Sequence, residues 1–286
     1  VYLVGSTCVA CSFEVLKNSK FPVVLLDECS QMIEPMSLLP IARFGCERLI
    51  AVVGDPKQLP PTITEDSCQA DEGHPLSRTL FVRLSQSIEP TLLRTQYRLH
   101  PVISAVANSL FYDGSLTDGV SADDRFPLLI PTDSAELKHP SLPPLVFCNV
   151  AGQEHSPSHN PDGARGSFTN EAEATAITKT LTVFMTKGVN PDRLGVIALY
   201  RNQADRIRNQ LAGLTITSDS QVSTVDAFQG GEKDIILLSC VRTSSSNEFI
   251  SNPNRMNVAL TRAKHHLLIF GRTQSLHSSP LWARVV

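Results

Sequence analysis

Residues 23–28 read Val-Val-Leu-Leu-Asp-Glu, and residues 49–55 read Leu-Ile-Ala-Val-Val-Gly-Asp. Each is an unbroken apolar run that stops at a carboxylate. A strand with one wetted face alternates apolar and polar residues, so an unbroken run predicts a strand buried on both faces. Three further runs, at 194–199, 235–239 and 267–271, have the same character. Helical patterns lie between them, at 101–111, 169–187, 202–214 and 254–261. This alternation predicts an α/β fold with parallel sheets flanked by helices. In open sheets of this kind ligands gather outside the carboxyl ends of the strands. Asp27 and Asp55 stand at two such ends and are expected to converge on one crevice.

The 286 residues are 42% apolar and 19% charged, an ordinary globular mix with length enough for one large or two ordinary domains. Segments 60–77 and 151–167 collect Pro, Gly, Ser, Asp and Asn and read as loops. A domain change is expected near 85–90, giving domains 1–88 and 89–286. The formal net charge of −3 supplies no overall attraction for nucleic acid, which leaves only a local basic groove to provide it. No apolar run approaches the ~20 residues that span a bilayer. No charged segment precedes an apolar stretch with a cleavage site, so no signal peptide is expected. The seven cysteines are scattered, which suits a reducing compartment. Cys8 and Cys11 form one C-x-x-C with no second pair, too few ligands for structural zinc, and are expected to be two small buried residues in a strand-loop.

Several stretches carry chemistry. An apolar strand ending in Asp27-Glu28 is the Walker B pattern: the first carboxylate suits Mg²⁺, which takes oxygen ligands, and the second can orient and deprotonate a water. After the second run comes Gly54-Asp55-Pro56-Lys57-Gln58-Leu59-Pro60-Pro61. There Gly54 is expected to let the chain turn and Pro56 to stiffen it. Gln58 is expected to project toward the site of Asp27, with an amide able to sense a γ-phosphate. In Leu93-Arg94-Thr95-Gln96-Tyr97-Arg98-Leu99-His100-Pro101 an aromatic ring adjoins a guanidinium: Tyr97 offers a stacking face for adenine and Arg98 a planar fork for phosphate. The short side chains and glycines of 222–234, Val-Ser-Thr-Val-Asp-Ala-Phe-Gln-Gly-Gly-Glu-Lys-Asp, leave backbone N–H groups accessible to phosphates. Asp226 and Glu232 there suit either ribose acceptors or anchors for arginines. In 254–264, Asn-Arg-Met-Asn-Val-Ala-Leu-Thr-Arg-Ala-Lys, helical spacing would put Arg255 and Arg262 on one face. Arg262 is then a candidate arginine finger, a device worth about 10³ to 10⁵ in rate.

Taken in order, DECSQ, GDPKQLPP, LRTQYRLHP, STVDAFQGGEKD and NRMNVALTRAK resemble the motif series of superfamily-one helicases across nearly the whole chain. The branch is that of the nonsense-mediated-decay helicase and its DNA-acting relatives. The details of FPVVLLDECSQMIEPMSLLPIARF look most like the animal DNA helicases that carry a GRF zinc finger. The resemblance implies two RecA-like lobes, the first incomplete, that use ATP and Mg²⁺ to move 5′ to 3′ on single-stranded nucleic acid, DNA before RNA. It implies no membrane, leaves protein partners unnamed, and points to the nucleus and DNA repair. Residue by residue it implies that Asp27 holds Mg²⁺, Glu28 is the hydrolytic base and Gln58 the γ-phosphate sensor. Tyr97 resembles the adenine-stacking ring, and Arg98 and Arg262 the paired arginines of the second lobe. Glu232 resembles the ribose contact, with Gly230 and Gly231 letting the loop approach the nucleotide. Ser6, Thr7, Thr224 and the segment 199–203 with Tyr200 resemble contacts to the nucleic-acid backbone. Cys29 stands where alanine is commoner.

One element of the pattern is missing: no G-x-x-x-x-G-K-[ST] occurs in the sequence. That loop cradles phosphates and completes the Mg²⁺ site. The expectation is that the chain begins inside the first lobe and that this polypeptide alone hydrolyses ATP very poorly. Two rivals are a non-catalytic nucleic-acid clamp and a metal-dependent nuclease built on Asp27, Glu28 and Asp55. The nuclease leaves Gln58, Tyr97 and Arg262 without a role.

Overall fold

Two strands at the start of the chain set the frame for the first unit. In a computed structural model, the described residues are 3–63, 75–125, 142–156, 167–212, 222–244 and 249–286, and the chain divides into the units Val1–Leu92 and Leu93–Val286. In the first unit β1 (Val23–Leu26) and β2 (Leu49–Val52) pair in parallel, Val23 opposite Leu49 and Leu26 opposite Val52. Helix α1 (Glu34–Phe44) connects them, and α2 (Leu80–Ser85) follows the loop. The apolar periodicity does not single out α1, because it contains two prolines. Pro35 costs nothing in the first turn, where its missing N–H has no partner to lose. Pro40 is accepted inside the helix although it removes one ladder bond. Gly45 ends the helix at φ 58°.

The core of this unit gathers Val24, Leu26, Cys29 and Leu80. Here the expectation of two-sided burial fails. Val24 and Leu26 are buried, but Leu25 is 62% exposed and Val23 44%. An unbroken apolar run states what both faces of a strand can tolerate; burial also needs a layer over each face. The bare face opens on an apolar depression of about 780 Å³ lined by Leu3, Val9, Phe21, Val23, Leu25 and others. Cys8 and Cys11 fall at a tight 3₁₀ turn (Val9–Ser12) rather than in a strand-loop, with Cys11 buried and Cys8 half-buried, its thiol 3.3 Å from Met32 Sδ. Thr7 builds that turn: its carbonyl accepts from Cys11 N and its hydroxyl from Ala10 N.

The second unit runs β3 (Thr95–Gln96), α3 (Pro101–Phe111), β4 (Thr117–Asp118), β5 (Leu145–Asn149), β6 (Glu154–His155), β7 (Thr169–Asn170), α4 (Glu171–Thr186), β8 (Leu194–Ala198), α5 (Arg201–Ala212), β9 (Val222–Thr224), β10 (Lys233–Ser239), α6 (Pro253–Leu260), β11 (Ala263–Gly271) and α7 (Thr273–Leu276). Five strands form one all-parallel sheet in the order β5-β11-β10-β8-β9. Two-sided burial holds here: Val196, Ile197, Ile236, Leu237 and Leu238 are fully buried. On one side α4 and α5 supply Ile177, Leu181 and Ile207 to the core.

The predicted helix at 101–111 matches α3. The one predicted at 169–187 loses its first two residues to β7, because Thr169 and Asn170 pair with β6 and the Asn170 side chain caps α4 by accepting from Glu173 N. The prediction at 202–214 becomes α5, with 213 and 214 outside the described residues. Strands β10 and β11 start earlier than their apolar runs because the backbone ladder admits Lys233, His265 and His266 as readily as leucine. Of the two predicted loops, 60–77 and 151–167 lie partly outside the described residues; β6 and a 3₁₀ turn (Pro75–Ser77) fall inside the remainder. Among the described residues no helix is long and apolar enough to cross a membrane.

Candidate functional site

In the first unit the chemistry sits at the carboxyl ends of β1 and β2. The ladder continues one step past the strands: Val53 N donates to Leu26 O and Cys29 N donates to Val53 O, both at 2.8 Å. Asp27-Glu28 and Gly54-Asp55 therefore leave the sheet side by side. Asp27 is exposed, and its Oδ1 accepts from Glu28 N at 3.0 Å. Glu28 takes a left-handed conformation at φ 54°, which costs a residue with a Cβ roughly 1–2 kcal/mol. Its carboxylate accepts from Gln31 Nε2 at 2.6 Å. The Ser30 hydroxyl stitches the two loops, donating to Asp55 O and accepting from Asp55 N. This explains Gly54 differently from the turn expected of it. Its φ is not positive, but a Cβ there would fall 2.7 Å from Ser30 N, so only glycine allows the approach.

Gln58 is held at this same edge by Asp55. Its amide donates to Asp55 Oδ2 at 3.0 Å, while Lys57 N takes Asp55 Oδ1 at 2.9 Å. Asp55 thus holds the loop and Gln58 within it, and Asp27 is left as the exposed carboxylate of this edge. The Asp27 carboxylate is an oxygen ligand of the kind Mg²⁺ takes, but among the described residues no group of three or more His, Cys, Asp or Glu gathers to hold a metal ion. Ser6 and Thr7 are exposed in the same unit, Ser6 Oγ donating to Thr7 O.

In the second unit an open depression of about 680 Å³ is lined by Gln96, Tyr97, Arg98, Arg125, Glu232 and Lys264, among others. Arg98 Nε donates to Glu232 Oε2 at 2.6 Å and Lys264 Nζ to Glu232 Oε1 at 2.7 Å. Hydrogen bonding from Lys264, and after it from Arg98, holds the Glu232 carboxyl below the ordinary carboxylate range against the opposing effect of burial. Arg255 makes the parallel contact with Asp226 at 3.2 Å. Both carboxylates that the sequence offered as ribose acceptors or arginine anchors have cations as partners. Tyr97 is 67% exposed at the rim.

Arg262 stands where helical spacing does not put it. Helix α6 ends at Leu260 with Thr261 as its cap, so Arg255 and Arg262 do not share a helix face. Thr261 still donates from N to Asn257 O at 3.1 Å, and the chain then passes into β11 from Ala263, so Arg262 lies between helix and strand. Arg262 is 2% exposed, with Nε donating to Val258 O and Nη2 to Thr261 Oγ1. Gly230 adopts φ 76°, a conformation glycine reaches without strain, and Gly231 N closes the turn on Phe228 O at 2.9 Å. Thr224 ends β9 and caps the same loop, its hydroxyl accepting from Ala227 N.

Glu232 and Lys264 border the amino-terminal ends of β10 and β11. The carboxyl ends of the same sheet carry a second group. Tyr200 is buried between Phe168 and Phe249, and Arg242 lies 3.8 Å from the Phe168 ring. Glu154 accepts from Arg242 Nε, Thr243 N, and the N and Oγ of Ser244. Beneath them Glu173 is fully buried, accepting from Ser239 Oγ at 2.7 Å and Val241 N at 2.8 Å. Burial raises its pKa to about 7, with those hydrogen bonds opposing. Sequence reasoning assigned no role to Gly119, Arg125, Glu154, Glu173 or Lys264. Lys264 closes the last motif string and was within reach; Gly119 and Arg125 lie in a stretch without pattern.

Two AAA-domain families match the chain, one over residues 76–274 and the other over residues 1–66. Among curated proteins it is similar to the mouse 5′-3′ DNA helicase ZGRF1, 50% identical over all of this chain and 14% of that protein. It is also similar to a regulator of nonsense transcripts 1 homolog of Neurospora crassa, 37% identical over 98% of this chain and 25% of that protein. The ATP-dependent helicase NAM7 of Saccharomyces cerevisiae is likewise 37% identical over 98% of this chain, which covers 28% of it. The chain thus spans between about a seventh and a little over a quarter of these relatives. With one of the two families covering well over half of its residues, the chain belongs to the AAA-domain family.

Proposed function

We propose that this chain is the motor portion of an ATP-dependent helicase that moves 5′ to 3′ on single-stranded nucleic acid, DNA rather than RNA, and serves DNA repair in the nucleus. The observation that carries the reading is the exposed Tyr97 ring beside the Arg98–Glu232–Lys264 group on one open depression. It offers an aromatic face for a base and fixed positive charge for phosphate on one surface. The relative named a DNA helicase is 50% identical, against 37% for the two named after nonsense transcripts and NAM7, and this supports DNA.

The first unit contributes Asp27 to hold Mg²⁺, Glu28 to orient the attacking water and take its proton, and Gln58 to report the γ-phosphate. Mg²⁺ held by Asp27 would supply positive charge against the phosphates. The second unit contributes Tyr97 to the base, Arg98 and Arg262 to the γ-phosphate, and the Gly230–Glu232 loop to the sugar. Arg262 is buried as it stands, so this role requires its surroundings to open. Ser6, Thr7 and Thr224 touch the nucleic-acid backbone, and Tyr200, buried as it stands, does so only once its cover opens. Contacts of that kind tolerate any sequence and weaken with salt.

The test is unwinding by the full-length protein of matched DNA and RNA duplexes bearing either overhang. The expected result is ATP-dependent opening of DNA from a 5′ overhang. Preference for RNA overturns the substrate, and preference for a 3′ overhang overturns the polarity. The 286-residue chain by itself, lacking the phosphate-cradling motif, is expected to turn over ATP near background. Turnover by this chain that Glu28→Gln abolishes would contradict that.

A further inference from the structure

We infer that Gly119 and Arg125 are positioning residues for the nucleobase: Gly119 is the floor on which the Tyr97 ring rests, and Arg125 is the clamp that fixes the backbone beneath it. The inference deepens the reading above and rests on Tyr97 as the stacking ring. An exposed tyrosine on a loop ordinarily samples several rotamers, and ordering it on binding reduces affinity. The surroundings of Tyr97 remove much of that freedom.

A Cβ built on Gly119 would fall 2.2 Å from Tyr97 Cε1, 2.5 Å from Cδ1 and 2.8 Å from Thr95 Cγ2, so one side of the ring is seated where even a methyl group does not fit. Gly119 is itself held in place. Its N–H donates to Gln96 O at 2.8 Å, continuing the parallel pairing of Gln96 with Asp118. The backbone of Tyr97 is gripped from two directions. Arg125 Nη2 donates to Tyr97 O at 2.5 Å and Nε to Arg98 O at 3.0 Å. Gln96 Oε1 accepts from Arg98 N and Leu99 N. Ring, floor and clamp together present one aromatic face in one orientation while leaving 67% of the residue exposed.

The consequence of a methyl at 119 is specific. It strikes the Tyr97 ring and the Thr95 methyl, both on exposed side chains that can shift, so the fold survives and the pose of the ring does not. The test uses the full-length protein, with equilibrium binding of ADP by calorimetry, the KM and kcat for ATP, and thermal unfolding. Tyr97→Ala is expected to weaken ADP binding and raise KM roughly tenfold, the scale of one base stack. Gly119→Ala is expected to do the same by roughly three- to tenfold, with kcat and Tm near the parent values. In the Tyr97→Ala background, Gly119→Ala is expected to add nothing, because two changes acting through one ring are not additive. Arg125→Gln is expected to follow the same pattern. Gly119→Ala with parental affinity, or with a full additional loss on top of Tyr97→Ala, overturns the inference. Tyr97→Ala with parental affinity instead removes the stacking reading on which it rests.

Discussion

The two units build parallel sheets from the same kind of strand and finish them differently. In the second unit Leu237 lies at the centre of five strands with no exposed surface. In the first, Leu25 lies in one of two strands and is 62% exposed. The side chains are identical and the local sequences nearly so. The difference comes entirely from what packs above and below, and it shows that hydrophobic stabilisation follows covered area rather than apolar composition. Among the described residues of this chain, the second unit carries a two-sided core and the first a sheet covered on one face.

Three measurements bear on this contrast. The largest effect is expected from Leu237→Ala, about 2–5 kcal/mol of lost stability in urea unfolding of the 286-residue chain, the range for a buried leucine whose site cannot collapse. A loss under ~1 kcal/mol would mean the five-stranded core is not close-packed.

Next is the charge inside that core. Glu173 has a native pKa of about 7 against an ordinary 4.5, so the folded chain keeps its proton to higher pH than the unfolded one does. Its contribution is therefore complete below pH 4.5 and is lost as pH rises to about 7, on the order of 3 kcal/mol in all. Burial pushes His100 and His266 the other way, and their stability grows with pH. The comparison of Glu173→Gln with the parent isolates the carboxyl. The variant is expected to gain relative to the parent as pH rises from 5 to 7, and equal midpoints throughout would refute the burial argument.

The smallest effect is expected from Leu25→Ala, within about 0.5 kcal/mol in the 286-residue chain because little area is re-exposed. A cost as large as that of Leu237→Ala would mean that the open face of β1 is covered in solution and would erase the contrast.

Much of the fold was legible because an unbroken apolar run is hard to mistake. Strands β1, β2, β8, β10 and β11 all follow from it, and helix α3 from the helical pattern between the runs. Helix α1 was hidden by Pro35 and Pro40, and β5 by being a short run just after Pro143-Pro144. Strands of two or three residues such as β3, β4 and β9 carry too little pattern to show; pairing partners create them. Candidate site residues were legible as strings, Asp27-Glu28 and Tyr97-Arg98 above all. Their supports were not. Gly119 meets Tyr97 across 22 positions and Glu232 meets Arg98 across 134, and no periodicity reports contacts at such range. The misplacement of Arg262 has a local cause: helical spacing was carried past the end of α6 at Leu260, just before β11 begins at Ala263.

Glu232 is shared by two cations, Arg98 on one oxygen and Lys264 on the other. A carboxylate with a single buried partner is stranded when that partner departs, and the departure is correspondingly resisted. Here either cation can leave and the acid still has a counterion. The guanidinium can therefore leave Glu232 without stranding a lone negative charge.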